Sequence, residues 1–187
     1  MKRANSGALA IAQADIRRAH ANGGAGVLVS GLIWLLAGLI WLAAGPQRAF
    51  VVLFFGGMAI APLAQALARL VFKAPASTVG KRLEMIALVT VPVLLAGFYV
   101  GWRHIGAAPD LAIPCVAVAV GLRYLVFPMM YGSSLFPALG GAFIVGGGLA
   151  IAGYPPVPGN LALALGLTEL ACGTVLYRQW RAARPTG

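Results

Sequence analysis

Six long apolar stretches constrain this chain most, separated by short loops whose positive charges alternate between heavy and light. They lie at about 25–44, 49–71, 84–102, 111–130, 135–153 and 160–178. Each is near the ~20 residues a helix needs to cross the hydrocarbon of a bilayer. A lipid-exposed backbone must satisfy its own hydrogen bonds, which favours helices. A β-barrel would need short alternating strands, and these runs do not alternate. The expected fold is an all-α polytopic transmembrane bundle of six helices, preceded by a short N-terminal amphipathic helix.

Charge sets the orientation. Only 10% of the residues are charged, against about 25% in a soluble domain, too few to cover a soluble surface. The net charge of +10 raises the question of nucleic acid, but the basic residues sit in flanks and loops. Retention of Lys and Arg in the cytoplasm explains that placement, so no nucleic-acid partner is expected. With the N-terminus inside, the cytoplasmic segments hold Lys2, Arg3, Arg17, Arg18, Arg69, Lys73, Lys81, Arg82, Arg178, Arg181 and Arg184, and the outside holds only Arg48 and Arg103. This predicts both termini in the cytoplasm.

The expected organisation is a cytoplasmic segment over 1–24, a six-helix domain over 25–178 and a basic tail over 179–187. Lys2 and Arg3 resemble the start of a signal peptide, but the apolar run Ala8–Ala12 is too short and Gln13, Asp15, Arg17 and Arg18 break it. Residues 7–21 read instead as an amphipathic helix, with Leu9, Ala12, Ile16 and Ala19 on one stripe and Asn22-Gly23-Gly24 as its stop. Such a helix either binds the anionic lipids of the inner leaflet or packs on the bundle as an ordered flank. Further on, three prolines in Tyr154–Gly159 forbid a continuous helix between the last two spans.

Small residues mark helix packing. Gly31, Trp34, Gly38, Trp41 and Gly45 share a stripe in the first span, and the fifth is rich in glycine, with Gly146, Gly147 and Gly148 in a row. Close helix approach is one reading of the fifth span. Locally irregular backbone, of the kind transporters use, is the other. The triple glycine is not a phosphate loop, because no Lys-Ser/Thr follows it.

Two charges fall inside spans: Arg123 in the fourth and Glu169 in the sixth. At 1.5 Å per residue they lie about 18 Å and about 14 Å along helices that run in the same direction, so the pair is within reach. A charge near the bilayer centre costs about 2.5–3.5 kcal/mol on the mildest scale, and pairing reduces that cost. The functional reading makes Glu169 a proton or cation site with Arg123 as its partner, or makes Arg123 an anion site, with Tyr124 supplying a hydroxyl nearby. The structural alternatives are an ion pair that fixes helix register, or an Arg123 that snorkels toward the inner surface.

Enzymatic chemistry has little material, and no enzyme is expected. The chain holds no GxSxG, no HExxH and no paired intramembrane aspartates, and has only four acidic residues. His20 and His104 fall on opposite sides, and Cys115 and Cys172 form no metal or redox motif. No cofactor and no metal are expected.

Asp15-Ile-Arg-Arg-Ala-His-Ala-Asn-Gly-Gly-Ala-Gly26, running into Ser30-Gly-Leu-Ile-Trp34, resembles the opening of a family of bacterial integral membrane proteins of unknown function. Gly121-Leu-Arg-Tyr-Leu-Val-Phe-Pro-Met-Met-Tyr-Gly132 resembles a later block of that family. The resemblance implies a multi-pass membrane protein and carries no activity. Gly121-Leu-Arg-Tyr124 also echoes Gly31-Leu-Ile-Trp34, as an inverted repeat of three spans would.

Two functions are compatible with this reading. One is a small-solute or ion transporter or channel, with the chain in a homo-oligomer or alone. The other is a non-catalytic scaffold that binds a membrane partner through its glycine faces or N-terminal helix. The topology is directly testable. A reporter fused after Gly187 is expected to read as cytoplasmic, and one inserted in the Tyr154–Gly159 loop as external. An external C-terminus contradicts the orientation.

Overall fold

Glycine and proline decide where the apolar runs break. A computed structural model describes residues 2–154 and 160–183, without the side chains of residues 2–6, 81 and 82. The prolines of 155–159, the tail beyond Ala183, and the side chains of Lys2, Arg3, Lys81 and Arg82 lie outside the described residues. Over the described residues the chain is helical with no strand: α1 Lys2–Ala19, α2 Ala21–Ala44, α3 Pro46–Val71, α4 Leu83–His104, α5 Pro109–Tyr131, α6 Leu135–Ile151 and α7 Leu161–Ala182. Asn22 and Gly23 take positive φ between the straight parts of α1 and α2, at the expected stop. Gly45 at φ +87 followed by Pro46 separates α2 from α3.

Five helices, α2, α3, α4, α5 and α7, are long and apolar enough to cross a membrane. The expectation of six such helices is therefore corrected. The remaining one, α6, is apolar but has 17 residues, about 25 Å against a core of ~30 Å. Its end is set by Gly153, at φ +84. The Tyr154 N–H donates to the Leu149 carbonyl and the Gly153 N–H to that of Ala150, a left-handed cap that stops the helix two residues before the end expected from composition.

Two helices form the centre. α2 packs chiefly on α7 and α3, and α5 packs chiefly on α6 and α4. Both central contacts run antiparallel and are made by glycine. Gly24 and Gly31 meet Gly173 and Gly166, and Gly38 meets Leu163. A Cβ on Gly31 would sit 3.0 Å from the Gly166 carbonyl oxygen, and one on Gly166 2.7 Å from the Leu35 nitrogen. In the second pair, a Cβ on either Gly121 or Gly140 would lie 2.7 Å from the carbonyl oxygen of the other. These backbones touch, so no side chain fits. Trp34 of α2 and Tyr124 of α5 both pack edge-on against Phe143, with ring centroids 5.3 and 5.7 Å apart.

The α1 helix lies across the end of the bundle where α5 and α7 finish. Ile16 is fully buried and Ala19 nearly so, while Leu9 is exposed. Gln13 Nε2 donates to the Met129 carbonyl at 2.9 Å, and Arg17 to that of Tyr131 at 3.3 Å. These are carbonyls that the end of α5 leaves without helical partners. The packed-flank reading of α1 thus describes its inner half.

The three consecutive glycines of α6 part company. A Cβ on Gly147 would lie 2.7 Å from the Pro114 carbonyl oxygen, and one on Gly146 3.3 Å from Leu161 Cδ1. Gly148, expected to pack with them, faces outward with nothing within 4 Å, because each step turns the helix by about 100°. Gly147→Ala is therefore expected to lower the thermal midpoint in detergent, at a cost of about 1–3 kcal/mol for overpacking. Gly148→Ala is expected to be neutral or slightly stabilising. Equal effects of the two would contradict this packing.

Candidate functional site

Where α2, α5 and α7 converge, three polar side chains meet in an otherwise apolar interior. Glu169 has 0% of its surface exposed. Its Oε1 accepts a hydrogen bond from the Ser30 hydroxyl at 2.9 Å and another from the Tyr124 hydroxyl at 2.5 Å. Its Oε2 has no hydrogen-bond partner among the described residues. Ser30 and Tyr124 are buried as well. All three are held by the glycine contacts: Ser30 adjoins Gly31, Glu169 lies between Gly166 and Gly173, and Tyr124 is one turn from Gly121.

Of the residues expected at an intramembrane polar site, the structure brings Glu169 and Tyr124 together and leaves Arg123 out. The expected Arg123–Glu169 pair does not form, and among the described residues the ion pair is His20–Glu84, at 3.0 Å. Neighbours on a helix point about 100° apart, so the turn that aims Tyr124 at Glu169 aims Arg123 away. The Arg123 guanidinium carbon sits 5.3 Å from the centroid of the Phe127 ring, one turn toward the α1 end. A cation–π contact thus stands in place of a carboxylate.

Ser30 is a member of the site that the polar residues of the sequence did not single out. Its signal is present: it is the one hydroxyl side chain in Ala21–Ala44. A site of one carboxyl and two hydroxyls can exchange a proton or take a small cation. Among the described residues no three of His, Cys, Asp and Glu gather as metal ligands.

A second polar cluster lies outside the spans. Asp15 of α1 points into the loop before α4. Its Oδ2 accepts from the Ser77 hydroxyl and from the backbone N–H groups of Thr78, Val79 and Gly80, all at 2.8–2.9 Å. Three consecutive amides aimed at one oxygen make an anion-binding nest. The Gly80 amide, with those of Thr78 and Val79 and the Ser77 hydroxyl, holds the carboxyl well below the usual carboxylate range, against the opposing effect of burial. The cluster ties α1 to the α3–α4 loop, and His20–Glu84 adds a second tie.

The sequence model of a family described as a family of unknown function (DUF7010) matches residues 9–179. The chain therefore belongs to that family. No curated protein and no solved structure matches it.

The Asp15 nest has a defined pH dependence. A carboxyl depressed on folding contributes stability above its unfolded value, about 4, and loses it as pH falls toward the lower folded value. Asp15→Asn is expected to cost about 1–3 kcal/mol at pH 7, from donors left without an anionic acceptor. In thermal unfolding that cost should stay constant from pH 7 to pH 5 and shrink only below about pH 4. A cost that fades between pH 7 and 5 would contradict the nest.

Proposed function

We propose that this member of a family of unknown function is a six-span bacterial inner-membrane protein that moves a small solute or ion, with Glu169 as its proton- or cation-accepting group. The observation that carries the reading is the sealed carboxyl with one oxygen unpartnered. Glutamine would accept the same two hydroxyl hydrogen bonds and fill the same space. What a carboxyl adds is the capacity to bind and release a proton or hold a cation. A carboxyl buried at this depth costs more than an apolar side chain of the same size, which argues against a role in packing alone. Ser30 and Tyr124 hold the group in place.

The topology in this proposal has both termini in the cytoplasm. Its support is the distribution of charge along the helices: Arg17, Arg18, Arg69, Lys73, Arg178 and Arg181 at the α1 end, Arg48 and Arg103 at the other. At 17 residues α6 sits at the lower limit for a span, so it crosses where the bilayer thins or flanking groups cover its ends. The protein is taken as non-enzymatic and without a cofactor.

The second reading, a non-catalytic scaffold, draws on the solid packing around Glu169. Its proposed contact surface is weakened by the same packing. Gly31, Gly38, Gly121, Gly140 and Gly147 are covered by helices of their own chain. The inner half of α1 is docked, which leaves Gly148 and the outer half of α1, with Leu9 exposed, as the open parts of those surfaces.

Purified protein in liposomes carrying an internal pH dye separates the readings. Under an imposed membrane potential or solute gradient, wild-type protein is expected to accelerate proton or solute movement. Glu169→Gln, which keeps the hydrogen bonds, should abolish it, and Arg103→Gln should not. Wild-type flux no faster than in protein-free vesicles, for protons, alkali cations and a panel of small organic ions, would favour the scaffold.

A further inference from the structure

A cavity of about 350 Å³ opens at the α1 end of the bundle, between α1, the turn that leads into α2, the α3–α4 loop and the end of α7. Its volume falls in the ~300–1,000 Å³ range of small-ligand sites. Arg17 and Arg18 line it, with Asn22, Pro75 and Trp180. A third guanidinium stands behind one wall: Arg69 donates to the carbonyls of Ala74 and Pro75. The Trp180 ring is fixed by its Nε1–H, which donates to the Arg18 carbonyl at 3.1 Å. The Arg18 side chain is exposed and makes no hydrogen bond or ion pair among the described residues.

The electrostatic balance favours an anion. The C-terminal ends of α1 and α7 both face the cavity, each contributing about half a negative charge. Asp15 adds one more, but its carboxylate is already taken by the nest of Ser77–Gly80. Arg18 is the guanidinium left to meet a ligand, while Arg17, on the Tyr131 carbonyl, and Arg69, on those of Ala74 and Pro75, keep the surrounding charge positive. Arginine forks match the geometry of phosphate oxygens, two at a time. We propose that this cavity binds a phosphate-bearing anion, and that its source is the headgroup of an anionic phospholipid.

The lipid source rests on what flanks the cavity. Trp180 packs with Tyr177 and Phe72, ring centroids 5.9 and 6.1 Å away. Trp180 itself is buried, and Trp and Tyr are enriched at the headgroup level of a bilayer. Leu70 and Val71, at the end of α3 beside Phe72, are among the most exposed large apolar side chains. A headgroup in the cavity would leave its acyl chains against that apolar surface. The inference does not depend on the transport reading, since no residue of the Glu169 site takes part.

Thermal unfolding of the full chain in detergent tests it. The chain is titrated separately with dihexanoylphosphatidylglycerol, dihexanoylphosphatidylcholine and inorganic phosphate. The anionic lipid is expected to raise the midpoint and the zwitterionic lipid to leave it unchanged. Arg18→Gln should require about tenfold more anionic lipid for the same shift. Ala183→Glu, which places a carboxylate on the cavity wall, should abolish the response. Arg103→Gln, at the far end of the bundle, should keep it. Each variant is compared with itself across ligands, so a change in basal stability does not affect the outcome. An Arg18-dependent response to inorganic phosphate that matches the anionic lipid would keep the anion site and overturn the lipid source. Equal responses to both lipids, or an undiminished response in Arg18→Gln and Ala183→Glu, would overturn the site.

Discussion

Backbone contact between α2 and α7 governs the interior of this protein. In a bilayer, burying apolar surface between helices gains little, because lipid is as apolar as leucine, so close packing and interhelical hydrogen bonds must hold the bundle. At Gly31 and Gly166 the two backbones leave no room for a Cβ. Their proximity brings the short Ser30 side chain within 2.9 Å of Glu169. A larger residue at either glycine would push the helices apart and leave the carboxyl without that donor. The polar site is in this sense a consequence of the packing: glycine sets the distance, and the residues beside it supply the chemistry.

The same device recurs across the bundle. α5 stands to α6 and α4 as α2 stands to α3 and α7, so exchanging the first three apolar helices for the last three maps each of these contacts onto another. Trp34 and Tyr124, each three residues after a packing glycine, meet edge-on at the same ring, Phe143. The short echo between residues 31–34 and 121–124 therefore has a spatial counterpart. The two halves differ where it matters for chemistry. Tyr124 carries a hydroxyl to Glu169, while Trp34 ends in a ring that packs.

Much of the architecture was legible in the sequence because it depends on local rules. Helix existence followed from apolar length, and the breaks at Asn22-Gly23 and Gly45-Pro46 from backbone preference. What the sequence did not reveal depends on rotation about a helix axis. Depth alone made Arg123 and Glu169 look like partners, but one residue of rotation gave the contact to Tyr124 instead. Rotation also separates Gly148 from Gly147, which composition treats alike. Ser30 was hidden because a single hydroxyl costs little in an apolar run and becomes informative only when its neighbour is known. The length of α6 was overestimated because Ala152 and Gly153 are apolar, whereas the left-handed turn at Gly153 ends the helix regardless of hydropathy.

The central claim is that Glu169 is held by Tyr124 and not by Arg123, and a pair of double-mutant cycles in detergent addresses it most directly. Stability is measured for Tyr124→Phe, Arg123→Gln and Glu169→Leu, and for the two doubles that include Glu169→Leu. The account predicts a coupling of about 0.5–3 kcal/mol between Tyr124 and Glu169, the range for groups in contact, and near-additive losses for Arg123 with Glu169. Strong coupling to Arg123 with additivity at Tyr124 would contradict it.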